Sequence, residues 1–465
     1  MNDQARRSVV TSIGAGIWRR RVAILKIVAW VGLTLAVIDG LAAFVMGRRY
    51  EAELAAIRQQ GEPVTMTDLA KLAAQPVPDE DNAAAIYKKA FKIIEQKPMS
   101  KDLDALDKLA NPHGEERTAK VWSDAAAVAP RFMGVLGLIE QGTAKRACYF
   151  PIRWQDGWSA QLPHYAQLRQ LARVPAAFAM LAVRDGKVDE ALRYIGLDQR
   201  IADCVGKDPL LIALLVRIAL TTFVQHPVGE LIEKCALSDA QARNAFDMLA
   251  RIDLAPQQAS AMLGERAFGV WTAEYMRRNC LRLDTEGGVP VLSKPGLGER
   301  IDSYLLGPLT YANAVSYLGF MKRQIDSAHV PFRDLKARGL DAESLQRETP
   351  FYAAFARIMA PALSRVRMQV DVCKAEIASE QAALALIAYK DRFGSYPGSL
   401  AEAAKKLGWK LPGDPFSGKA LVYKPRGKGF IVYSVGPNLK DDGGAPPPTG
   451  KNVQSSGDIV LGKGN

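Results

Sequence analysis

Between Ile27 and Met46 a single charge, Asp39, interrupts an otherwise apolar run. At about 1.5 Å per residue a helix over this stretch spans about 30 Å, the hydrocarbon thickness of a bilayer. The run therefore predicts one transmembrane helix over 27–46. It is longer than the apolar core of a usual export signal, and Gly47-Arg48-Arg49 offers no small-x-small cleavage site, so it reads as an uncleaved anchor. Arg6, Arg7, Arg19, Arg20, Arg21 and Lys26 precede it against one acid, Asp3, while Arg48 and Arg49 are soon followed by Glu51 and Glu53. By the positive-inside rule residues 1–26 form a cytoplasmic basic tail, and the chain from 47 onward lies outside the inner membrane, in the periplasm or beyond. Asp39 is read as protonated or snorkelling, with a contact inside the membrane as the alternative.

A chain of 465 residues has room for two or three domains. Its net charge of +12 is spread along the whole length without an aromatic-interleaved basic motif. Nucleic acid is therefore not an expected partner, and the charge fits anionic lipid equally well. Five cysteines, at 148, 204, 235, 280 and 373, have no metal-ligand spacing, which argues against structural zinc. In an oxidising compartment one or two disulfides could form, but the spacing does not choose the partners.

From residue 47 to 361 the pattern is that of an α-helical domain, with Ala/Leu-rich amphipathic segments cut by Gly and Pro. Gly61-Glu-Pro63 stops the anchor's continuation, Thr65-Met-Thr-Asp68 caps the next helix, and Asn82 caps Ala83–Ile94. Further helices are expected over Leu210–Thr222 and over Ser238–Ile252, the second opened by a Ser238-x-x-Gln241 capping box. Phe178–Leu192, with Asp185-Gly186 between two helical runs, resembles one helix-turn-helix of a tetratricopeptide-type repeat, but no 34-residue period is sustained.

Catalytic signatures are missing from this stretch. His113, His164, His226 and His329 stand alone in sequence, and no metalloprotease, α/β-hydrolase or P-loop motif occurs. Trp154, Trp158 and Tyr165 make an aromatic cluster with Gln155-Asp156-Gly157. Such a cluster either caps a helical core or lines a cleft, and the cleft would suit an exported hydrolase or carbohydrate-binding enzyme.

The C-terminal hundred residues change character. A long helix from about Pro361 to Phe393 ends at Gly394, Tyr396-Pro397 turns the chain, and Ser399-Leu-Ala-Glu402 caps a short helix that Gly408 closes. Asp414-Pro-Phe-Ser-Gly-Lys419 then leads into Leu421-Val-Tyr423, which pairs through Arg426-Gly-Lys-Gly429 with Phe430-Ile-Val-Tyr-Ser434 as a hairpin. Asp441-Asp442-Gly-Gly444 and Gly457-Asp-Ile459 complete the set. This order of parts resembles the globular head of the major pseudopilin of type II secretion systems. The resemblance implies an antiparallel sheet on a helical spine and a calcium loop. Asn438, Asp441, Asp442 and Asp458 are its metal-ligand candidates, with Ca²⁺ as the implied cofactor. Asn438 stands where the family commonly has its first aspartate, and the Gly-Phe-x-x-x-Glu processing junction is missing at the anchor.

The expectation is thus a mainly α protein: a transmembrane helix, an α-helical domain over 47–361, and a small α+β pseudopilin-like module over 362–465. The function expected is that of a membrane-anchored, non-enzymatic envelope protein acting through protein partners, with a link to type II secretion or a related surface assembly.

Overall fold

The structure, a computed structural model, describes residues 3–73, 75–111, 117–279, 296, 307–328, 330–445 and 457–463. His113, His329, Cys280 and the prolines at 446–448 lie outside these residues, as does the side chain of Trp158. The protein is mainly helical and carries one three-stranded antiparallel sheet near its C-terminus. Contacts gather the chain into two units, one of Met1–Gly61, Gly269–Gly319 and Pro350–Ala356, the other of Glu62–Phe268, Phe320–Thr349 and Arg357–Asn465. The sheet-bearing module and most of the helices thus share one compact unit, a different division from the 47–361 and 362–465 boundaries.

In the first unit α1 (Asp3–Gln59) is one uninterrupted helix, so the basic tail continues the apolar run as helix. Gly61, in the left-handed region at φ 74°, follows its end. From Ile24 to Val45 its large apolar side chains stand exposed, Trp30 at 70% and Leu41 at 63%. An exposed apolar belt of this length is stable only in an apolar solvent or against a partner. Further along, Tyr50 packs on Tyr311, ring centroids 6.0 Å apart.

The second unit opens with α2 (Met66–Leu72), whose capping box has Thr65 Oγ1 accepting from the Asp68 amide at 3.1 Å. The Asn82 side chain likewise caps α3 (Ala83–Ile94), at 3.0 Å from the Ala84 amide. Then follow α4 (Met99–Ala110), α5 (Ala119–Val128) and α6 (Met133–Thr143). The densest packing lies among α7 (Pro163–Arg184), α8 (Val188–Asp203) and α9 (Leu211–Lys234). Gly186, at φ 71°, makes the reversal between α7 and α8. A second helix-turn-helix of the same dimensions does not follow, because α9 runs on to Lys234, beyond the expected end at Thr222. α9 is also apolar enough to cross a bilayer, but most of its apolar stretch is buried in the protein core.

α10 (Asp239–Ala250) opens on the expected Ser238–Gln241 box, and α11 (Ala255–Asn279), α12 (Gly307–Ser327), α13 (Phe332–Leu335) and α14 (Ala342–Glu348) lead to the spine. The spine, α15 (Ala354–Phe393), begins before Pro361 and carries it inside. Ile377 to Tyr389 are buried without a break. α16 (Leu400–Leu407) ends on left-handed Gly408, as its sequence predicts.

The strands β1 (Val422–Arg426), β2 (Gly429–Ser434) and β3 (Ile459–Lys463) are ordered β1-β2-β3. Arg426 opposes Gly429 across a two-residue turn, and Ser434 opposes Ile459. β2, the central strand, is wholly buried. Ala375 of the spine, Phe416, Val435 and Ile459 form the core that joins sheet to helix.

Asp414 fastens this module. Its carboxylate is buried and accepts from the Phe416 amide at 3.0 Å, Ser417 Oγ at 2.7 Å, Ser434 Oγ at 2.6 Å and the Val435 amide at 3.3 Å. Removing it would orphan buried donors on both sides, each costing about 1–3 kcal/mol. Asp414→Ala is therefore expected to destabilise the second unit by about 3 kcal/mol or more. Chemical denaturation of the detergent-solubilised chain measures this; an unchanged midpoint would show that Asp414 does not hold the loop to the strand.

Candidate functional site

Where α9, α15 and β3 converge lies a cavity of about 330 Å³. α9 supplies Thr222, Gln225, His226, Gly229, Glu230 and Glu233, all on one helical face because residues three and four apart share it. The spine supplies Glu376, Ser379 and Glu380 by the same spacing, and Ile459–Gly462 of β3 form the apolar wall.

The two sides differ in electrostatics. On α9 Glu230 is matched: Arg117 touches the His226 ring and lies 3.9 Å from Glu230, which also meets Lys234 at 2.5 Å. Among the described residues no cation pairs with Glu376 or Glu380 on the spine. Glu376 accepts one hydrogen bond from the Gln225 amide at 3.4 Å. Glu380 is only 6% exposed, and its Oε2, like Ser379 Oγ, is buried without a hydrogen-bond partner among the described residues. Burial holds the Glu376 carboxyl up at about 7, and burial together with the Glu376 charge pushes Glu380 well above the carboxylate range. Such a pair has two uses in chemistry. It attracts a cation that would restore both charges, or it exchanges a proton near neutral pH.

The residues singled out in sequence are placed elsewhere. Asn438, Asp441, Asp442 and Asp458 do come together around the loop after β2, but their oxygens are engaged in holding it. Asp458, buried, accepts from the amides of Asp442 at 3.3 Å and Gly444 at 2.7 Å. Asp441 accepts from the Tyr433 hydroxyl at 2.8 Å and the Gly443 amide at 2.9 Å. Asn438 donates to Asp442 at 2.7 Å and accepts from the Lys440 amide at 2.9 Å. No group of three or more His, Cys, Asp or Glu gathers to hold a metal among the described residues. Calcium takes six to eight oxygens. Among the described residues these side chains hold the loop through the hydrogen bonds above.

The aromatic cluster also divides. Trp154 lines a pocket of about 130 Å³ in which Glu265, held up at about 7 by burial, is the acidic lining residue. Tyr165 belongs to the core, donating to Asp208 at 2.9 Å. His164 stacks on Phe150 at 4.7 Å, and burial lowers its pKa to about 4, so the ring is neutral. The stretch is mainly a cap on the helical core.

No protein-family model, curated protein or solved structure matches this chain.

Two outcomes follow from the geometry. Below about pH 4.5 the spine carboxyls are protonated in folded and unfolded chains alike and cost nothing. As pH rises the unfolded chain releases these protons while the folded one keeps them, so stability falls up to about pH 7 for Glu376, and Glu380, also held up by burial, adds to the loss. The Glu376→Gln/Glu380→Gln chain is thus expected to be more stable than wild type at pH 8 and equal to it near pH 4, measured by denaturant titration. Millimolar calcium tests the acidic loop: a melting temperature raised by several degrees would show that the loop binds the ion, and an unchanged one that it supports itself.

Proposed function

We propose that the chain is a membrane-anchored, non-enzymatic envelope protein that acts through protein contacts, and that the cavity between α9, the spine and β3 receives a basic side chain of its partner. The observation that carries the anchoring is the exposed apolar belt of α1, Ile24 to Val45. The arginines before it favour an N-terminus in the cytoplasm and both remaining parts of the chain outside. The contact site is supported by the unneutralised spine carboxyls and by the edge position of β3, which a partner's extended segment can approach. The pseudopilin-like reading of the terminal module draws support from its order of spine, Asp414 loop and antiparallel strands. A tie to a secretion or surface assembly follows from that reading.

A second reading, an exported hydrolase, is favoured by the Glu376 and Glu380 carboxyls, which titrate high enough for acid–base work. The Trp154 pocket contributes less to it, holding a single carboxyl in a small apolar space.

The tests separate these claims. The protein is expected in the membrane pellet after carbonate extraction, and protease added to intact spheroplasts is expected to digest residues beyond 47. Release by carbonate would overturn the anchor, and protection from protease would overturn the orientation. Cross-linking in intact cells is expected to trap a partner with wild type and to lose it with Glu376→Gln/Glu380→Gln. Turnover of a glycoside or ester panel abolished by the same substitutions would favour the hydrolase instead.

A further inference from the structure

Another cavity of the same unit, about 640 Å³, is lined by the connection after α6, the end of α8, α3 and the start of α11. Two of its lining residues are Cys148 and Cys204. Both neighbours of Cys148 are tied down. The Ala147 amide donates to the Asp81 carbonyl at 3.1 Å and its carbonyl accepts from Ala83 at 2.8 Å. Tyr149 exchanges hydrogen bonds with the Asn82 side chain at 2.8 and 3.0 Å. Cys204 is the C-cap of α8, its thiol donating to the Arg200 carbonyl at 3.4 Å and within hydrogen-bonding reach of the Cys148 thiol and the Tyr87 hydroxyl. Tyr87 is itself wedged against Gly142, where a Cβ would lie 2.3 Å from the ring. The two thiols therefore line one cavity within hydrogen-bonding reach of each other, and the backbone on both sides of Cys148 is held.

The remaining described cysteines are spoken for separately. Cys235 donates to the Val183 carbonyl at 3.6 Å and Cys373 to the Gln225 side chain at 3.7 Å. Among the described residues neither is placed against a second thiol, whereas Cys148 and Cys204 share a wall.

We propose that Cys148 and Cys204 are a disulfide pair that closes when the helical body meets an oxidising compartment. The pairing rests on the geometry alone, and its closure in the cell rests on the orientation proposed above. The oxidant is a disulfide, carried by a small thiol or by a thiol oxidoreductase. The thiolate of Cys148, in the connection that lines the cavity, attacks the oxidant and releases one of its sulfurs as thiol. Cys204 then loses its proton and displaces the second, closing the Cys148–Cys204 bond. Two electrons and two protons leave the protein, and the oxidant's disulfide becomes two thiols. The bond joins the connection after α6 to the end of α8 and so fixes the wall that carries Arg146 and Arg200 into the same cavity.

The test uses the full chain in detergent. Reduced protein is exposed to oxidised glutathione, digested without reductant and analysed by mass spectrometry. The expected result is a dominant cross-link between the peptides holding Cys148 and Cys204, with a melting temperature raised by about 5 °C or more. Cys148→Ser and Cys204→Ser are each expected to abolish both the cross-link and the rise. Any other dominant pairing in wild type, or glutathione adducts on both residues without a cross-link, would overturn the proposal. A parallel sample alkylated in living cells reads the compartment. A pair found closed there supports proposal and orientation together, and a pair found reduced there that closes with glutathione keeps the pairing and overturns the orientation.

Discussion

The terminal module depends on one buried carboxylate. Asp414 takes hydrogen bonds from its own loop, through Phe416 and Ser417, and from the far end of β2, through Ser434 and Val435. Removing a charge from water is costly, and only this many donors make it tolerable. The geometry it selects has wide effects. With the loop fixed, Phe416 enters the core against Ala375 of the spine, and β2 lies where β3 can pair with it. β3 in turn walls the cavity that bears Glu376 and Glu380.

Much of this was legible where the signal is local. Thr65, Asn82, Ser238 and Ser399 each cap the helix their sequence announces, because a cap is decided by a side chain and an amide two or three residues on. Gly394 and Gly408 end their helices in the left-handed region for a similarly local reason. The bonds of Asp414 to its own turn could be anticipated, but those to Ser434 and Val435 could not, since they depend on where the hairpin folds back. The Cys148–Cys204 contact is hidden for the same reason, spacing alone being silent about which thiols meet.

The cavity carboxyls were missed through a different physical cause. Val366, Val370, Cys373 and Ile377 mark one apolar stripe of the spine, and Glu376 and Glu380, three residues after Cys373 and Ile377, lie along its border, where a carboxylate normally reaches water. From Ile377 to Tyr389, however, the spine is buried all round. The usable signal was the near-continuous small and apolar run Ala382 to Ala388, which no surface helix needs. A helix that enters a core on every side carries its polar residues in with it. Glu376, Ser379 and Glu380 are those residues, and α9 and β3 are the layers that cover them.

This arrangement couples the cavity to the folding of the module around it. β3 comes from the far end of the chain, and without it the spine carboxyls would face solvent and ionise freely. Closing the sheet desolvates them, a cost that protonation relieves and that a bound cation would relieve. A cation that binds the closed state alone must therefore stabilise closure by the same free energy with which closure strengthens its binding. If the cavity takes a cation as proposed, the Asp414 knot and the Asp458 loop that hold β3 in place would set its affinity without touching it.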